Sequence, residues 1–167
     1  MTDSDIRSDR IRVAIRDLEK RFSKDVVALR GINLDVQEGE FVSLVGPSGC
    51  GKSTLLKLVA ELDYPTFGNV VRPGIADLPG SIGFVFQDAH LLPWRTVHRN
   101  VELLLEIQNL SANERHRRAK EALAHVGLEG FEVAYPRQLS GGMKMRVSLA
   151  RTLVLNPQLF LLDEPFG

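Results

Sequence analysis

Residues 46–53 read Gly-Pro-Ser-Gly-Cys-Gly-Lys-Ser and fit the pattern G-x-x-x-x-G-K-[ST]. Glycines at this density let successive backbone N–H groups converge on one point, and a helix starting behind them adds its positive end. Such a nest takes the phosphates of a nucleotide. Lys52 would reach the β- and γ-phosphates as a mobile point charge, and the Ser53 hydroxyl would serve Mg2+. A second group of reactive side chains closes the sequence, where the apolar run Leu-Phe-Leu-Leu (159–162) delivers Asp163 and Glu164. Beside a phosphate loop, an acid at the tip of an apolar strand holds Mg2+, usually through water, and Asp163 suits that role. Glu164, one residue nearer the γ-phosphate, would polarise an attacking water. A third group is Ser140, Gly141 and Gly142 in Leu-Ser-Gly-Gly (139–142), a second helix start able to face an anion. Taken alone, an ordinary N-cap is the better explanation of that serine. With one complete phosphate loop already present, a second would serve the phosphate held by another copy of the chain.

These groups need strands and helices to hold them. Phe-Val-Ser-Leu-Val-Gly (41–46) has the near-continuous apolar pattern of a strand buried on both faces, and it runs straight into the glycine loop. Residues 55–62 then take helical spacing. Upstream, alternation of Ile11, Val13 and Ile15 predicts a strand over 11–22. Residues 26–40 read as two short strands, with turns at Gly31 and at Glu38-Gly39. Residues 81–87 form another buried-strand candidate. Helices are expected over 96–108, with Val97, Val101, Leu104, Leu105 and Gln108 on one side, over 111–128, and over 140–157. The second opens on a capping box of Ser111 and Glu114 and ends near Gly127. Strands at both ends with helices between them imply an α/β core carrying a helical insertion. Residues 1–10 read as a loose tail.

Composition narrows the setting. The chain has 167 residues, enough for one domain with a real core and too few for two ordinary ones. Its 21 basic and 21 acidic residues cancel, so no global charge recommends a nucleic-acid partner. The single cysteine, Cys50, allows no internal disulfide, and a reducing cytosol is the natural setting. No signal-peptide pattern and no long apolar span occur, so work at a membrane would go through a partner.

All these pieces, in this order, resemble the ATP-binding subunit of an ABC transporter. Residues 46–54 look like the Walker A motif, Leu-Ser-Gly-Gly-Met-Lys-Met-Arg (139–146) the signature motif, and Leu-Phe-Leu-Leu-Asp-Glu-Pro (159–165) the Walker B motif. The resemblance implies that Gly46, Pro47, Ser48, Gly49, Cys50, Gly51, Lys52, Ser53 and Thr54 bind ATP, and that Ser140, Gly141 and Gly142 reach the nucleotide of a partner copy. It implies that Ser53, Gln87 and Asp163 serve Mg2+, and that Glu164 and Gln87 are catalytic. Gln87 looks like the Q-loop glutamine, and Phe22 like the aromatic that stacks on adenine. The implied fold is that of a P-loop NTPase: a RecA-like core with an antiparallel β-subdomain (1–87 and 155–167) and an α-helical subdomain (88–154), incomplete at the C-terminal end. The implied assembly is a head-to-tail dimer of ATP-binding subunits on a membrane-spanning permease, at the cytoplasmic face of the inner membrane, indirectly served by a periplasmic binding protein. No nucleic acid enters this reading.

Leu-Leu-Pro-Trp-Arg-Thr-Val (91–97) is similar to segments in importers of nitrate, sulfonates and taurine. Trp94 beside Pro93 would anchor a partner's helix, or else fill the helical core. The basic run at 114–121 reads as a solvated helix face, with attraction to anionic lipid as the sharper alternative. Met143 stands where the signature often has Gln. Glu61 replaces the glycine usual after the first helix, expected to be a surface matter. A D-loop aspartate and a switch histidine would follow Walker B in this family, and His90, His98, His116 and His125 all precede the signature. The expectation for the 167 residues is therefore nucleotide binding with weak or no hydrolysis. Two alternatives stand beside the importer: a non-hydrolysing nucleotide-binding remnant, and a non-transport ABC ATPase, against which the neutral charge and residues 91–94 argue.

Overall fold

The computed structural model describes residues 10–165, so most of the expected tail lies outside the described residues. The chain divides into two compact units, one up to Ala76 and one from Asp77.

In the first unit, β1 (Ile11–Arg21) is the middle strand of an antiparallel sheet, flanked by β2 (Val27–Gln37) and β3 (Phe67–Val71). Val13, Ile15 and Leu18 are almost fully buried. Strict alternation from Ile15 would turn Leu18 outward, but the pairing slips between those two residues, and Asp17 takes a left-handed φ of 45°. Asn33 closes the irregularity: its Oδ1 accepts from the Asp17 N–H and its Nδ2 donates to Asp17 Oδ1, both at 3.0 Å. On the other side Gly68 leaves the room, since a Cβ there would sit 2.4 Å from the Arg16 and Asp17 carbonyl oxygens.

Three expectations change here. Residues 27–37 form one continuous strand, because pairing to β1 carries on either side of Gly31 (Leu29 with Lys20, Ile32 with Leu18). Residues 67–71, unassigned from sequence, supply the third strand. The run 41–46 forms no strand, and Phe41 (86%) and Val45 (93%) are exposed. Apolar character alone does not make a strand; a ladder partner is required, and among the described residues none pairs with this segment.

Helix α1 (Lys52–Val59) starts directly behind the glycine loop and buries Leu55, Leu58 and Val59. It ends in a Schellman motif, with the Glu61 N–H on the Leu58 carbonyl at 3.2 Å and the Leu62 N–H on the Lys57 carbonyl at 2.9 Å. That motif places Glu61 at φ 58°, the left-handed region glycine adopts without a Cβ penalty. The Glu61 substitution is thus a backbone matter as well as a surface one. Its carboxylate pairs with Arg72, whose guanidinium also donates to the Val59 carbonyl.

In the second unit, β4 (Ile82–Val85) and β5 (Leu159–Leu162) pair in parallel, Ile82 opposite Leu159 and Val85 opposite Leu162. Between them in sequence come α2 (Val97–Ile107), α3 (Ala112–His125), a short 3-10 turn (Pro136–Gln138) and α4 (Gly141–Leu153). Their core joins Val97, Val101 and Leu105 of α2 to Ala119, Ala122 and Leu123 of α3 and to Val147 and Ala150 of α4. Each helix opens on a hydroxyl cap: Thr96, Ser111 and Ser140 accept from the N–H groups of Arg99, Glu114 and Met143. Gly127, at φ 67°, closes α3 as expected. On α3, hydrogen bonds from Arg117 and then Arg118 hold the Glu114 carboxyl down at about 2, and Arg117 also grips Glu121. Within the basic run, Arg117 and Arg118 thus find their counter-charges on their own helix.

Candidate functional site

In the first unit, residues 46–50 are exposed and lead into the start of α1. The Cys50 N–H reaches back to the Pro47 carbonyl at 3.3 Å. Gly51, at φ 101°, is the N-cap residue, and no side chain caps α1. A glycine loop that runs into a helix start in this way is an arrangement that receives an anion. Gly51 lies tight against β2: a Cβ there would fall 2.6 Å from the Ala28 oxygen. Lys52 folds its ammonium over the loop, donating to the Gly46 and Pro47 carbonyls at 3.0 and 3.1 Å. Ser53 and Thr54 follow in the first turn, half-buried. Phe22, just past β1, is 60% exposed, and the Lys20 ammonium stands 5.3 Å from its ring centroid.

In the second unit, the C-terminal edge of the parallel pair gathers the other candidates. The Asp163 N–H continues the ladder onto the Val85 carbonyl at 2.9 Å, and the residue is 5% exposed. Glu164 follows at φ 49°, exposed, and its Oε2 accepts from Gln87 Nε2 at 3.2 Å. The carboxyl ends of parallel strands are where ligands of α/β proteins bind. Gln87 and Glu164 are thus joined across 77 residues of sequence. Gly141 and Gly142 share with Gln87 the lining of a cleft of about 570 Å³. Ser140 uses its hydroxyl oxygen on the Met143 N–H at 3.3 Å, the ordinary N-cap arrangement.

The sequence profile of the ABC transporter family matches residues 29–167. The chain belongs to the ABC transporter family. It is 48% identical, over 94% of its length, to the nitrate import ATP-binding protein NrtD of Synechocystis sp., and 50% identical, over 93%, to the aliphatic sulfonates import ATP-binding protein SsuB 2 of Rhizobium johnstonii. It covers 61% and 58% of those two proteins, so it spans about three-fifths of the curated relatives it matches. Among solved structures it is similar to a dimeric post-hydrolysis state of the ATP-binding cassette MJ0796 bound to ADP and Pi, with a TM-score of 0.83 and 41% identity over 92% of this chain and 74% of that one. The fold is that of a P-loop NTPase, as the motifs imply.

Two residues of this ABC chain that shape the site carry no motif. Arg151 on α4 donates to the Ala89 and His90 carbonyls at 2.8 and 2.9 Å, tying the signature helix to the segment after Gln87. Burial lowers the pKa of this guanidinium, which nevertheless stays charged. Asn100, fully buried on α2, fixes the 91–96 loop. Its Oδ1 accepts from the Leu92 N–H at 2.8 Å, and its Nδ2 lies 3.0–3.1 Å from the Leu92, Arg95 and Thr96 carbonyls. The signal was a polar amide amid an apolar helix face. Trp94, on the loop so held, is 72% exposed and does not fill the helical core. Asn100→Leu strips the Leu92 N–H of its partner and empties a fully buried amide position, and should lower unfolding stability by about 2–3 kcal/mol in denaturant titration. A change under about 0.5 kcal/mol would mean that the loop holds itself.

No helix among the described residues is long and apolar enough to cross a membrane.

Proposed function

We propose that this chain is the ATP-binding subunit of an ABC importer, coupling ATP binding and hydrolysis to uptake of a solute such as nitrate, a sulfonate or taurine. The observation that carries the nucleotide reading is Lys52, whose ammonium lies over the glycine loop at the start of α1, on the Gly46 and Pro47 carbonyls. An incoming phosphate would exchange those two neutral acceptors for charged ones, and charge-assisted hydrogen bonds are the stronger kind. Gly46–Thr54 would cradle the phosphates and Phe22 would stack on adenine. The relatives' names support the solute class.

The oxygen donors of Gln87, Asp163 and Glu164 suit a hard cation, and they would serve Mg2+; the family resemblance adds the Ser53 hydroxyl. When bound, Mg2+ neutralises charge developing on the phosphates. Glu164 would take the proton of the attacking water, and Gln87, already bonded to that carboxylate, would orient it. Ser140, Gly141 and Gly142 would reach the nucleotide of a second copy in a head-to-tail dimer. A permease would receive the exposed Trp94 at the cytoplasmic face of the inner membrane, and a periplasmic binding protein would serve that permease. An isolated copy would bind nucleotide and turn it over weakly or not at all, because each composite site needs the signature of its partner.

The test is equilibrium binding of ATP to the purified chain with and without Mg2+. Saturable binding is expected, weakened about 10- to 150-fold in Lys52→Ala, the value of one charged hydrogen-bonding group. Absence of binding, or equal affinity in the variant, would remove the nucleotide reading.

A further inference from the structure

Away from the nucleotide motifs, α2 and α3 bring together two imidazoles and a carboxylate. His98 and Glu102 stand one turn apart on α2, 8% and 3% exposed, and His98 Nε2 lies 3.2 Å from Glu102 Oε1. That contact is too poorly aligned to be a hydrogen bond, so both ring nitrogens of His98 are shut from solvent without a hydrogen-bond partner. His116, exposed on α3, stacks its ring 4.5 Å from that of His98 at a tilt of 49°. One ligand atom from each of the three residues lies within 4.8 Å of the others. Arg99 Nη1 donates to the second Glu102 oxygen at 3.0 Å, which turns Oε1 toward the histidine.

A buried imidazole with neither nitrogen satisfied is an arrangement proteins avoid. A metal ion held with Glu102 would satisfy one of its two nitrogens. Bond lengths of about 2.0–2.2 Å in a tetrahedron separate neighbouring ligand atoms by about 3.4 Å, and the His98–Glu102 separation already has that size. His116, exposed and with its ligand atom within 4.8 Å of the other two, would close the third edge. Two imidazoles favour zinc-like ions over magnesium or calcium, which prefer oxygen. Arg99 occupies the place of the outer partner that commonly orients a ligating carboxylate.

We propose that His98, Glu102 and His116 form a site for a first-row transition-metal dication of the Zn2+ class, bridging α2 and α3 and leaving one position to water. This site is independent of the nucleotide reading. The test is titration of the nucleotide-free chain with Zn2+ against a chromophoric chelator, with melting temperature recorded alongside. One Zn2+ per chain is expected, indifferent to excess Mg2+ and raising the melting temperature. Affinity should fall tenfold or more in His116→Ala, an exposed replacement that leaves the core intact, and again in His98→Gln. Co2+ bound in place of Zn2+ should show the visible bands of a tetrahedral site, lost in both variants. Failure to bind Zn2+, or binding that His116→Ala leaves unchanged, overturns the proposal.

Discussion

Glu164→Gln is expected to cut ATP turnover by the assembled dimer about 10²–10⁴-fold, the usual worth of a positioned general base, while nucleotide affinity stays within a few-fold of the unaltered protein. The substitution keeps the size and the acceptor oxygen, so the 3.2 Å bond from Gln87 can survive. What it removes is the capacity to take a proton. Glu164 stands at the exposed tip of β5 with a left-handed φ of 49°, where its side chain supports no core packing. A stability cost is therefore not expected. Phosphate release and equilibrium ATP binding, measured on the same preparations, separate the roles. Unchanged turnover would move the base to another group, and a collapse of affinity would make Glu164 a binding residue instead.

The second large effect belongs to Gly51. Its φ of 101° is strained for any residue with a Cβ, and that Cβ would meet the Ala28 oxygen at 2.6 Å and Leu29 Cδ2 at 2.9 Å. Leu29 could rotate away, but the Ala28 carbonyl belongs to β2 and is held by the strand. Gly51→Ala should therefore push the loop off its nest and weaken ATP binding at least about 100-fold, the loss of two or more charge-assisted bonds. Gly49 provides the internal control. It also has positive φ, 79°, yet nothing lies within 4 Å of a Cβ there. Gly49→Ala should cost only the left-handed penalty of about 1–2 kcal/mol. Equal losses in the two variants would show that backbone conformation, and not crowding against β2, governs the loop.

How much of this was legible beforehand follows the range of each interaction. Helix starts at Ser111 and Ser140 were readable because a hydroxyl cap reaches only three residues ahead, as the bonds from the Glu114 and Met143 N–H groups show. The phosphate loop was readable for the same reason: its geometry is written in adjacent glycines. The run 41–46 misled because burial of a strand depends on what lies beside it, which local apolar character does not specify. β3 escaped notice because Gly68 and Asn69 are poor strand formers, placed there by pairing to β1. The bond between Gln87 and Glu164 emerges only once β4 and β5 are aligned in parallel. Arg151 and Asn100 act on main-chain carbonyls, and no motif records a carbonyl that needs a donor.

Asn100 has a kinetic corollary. With one buried amide accepting from the Leu92 N–H and sharing its two Nδ2 hydrogens among three carbonyls, the segment carrying Trp94 is ordered when the chain folds and has little freedom left to lose later. A partner arriving at that indole meets a shape already set. Its capture should be limited by diffusional encounter and orientation, with no slow isomerisation of the loop appearing as the partner's concentration is raised.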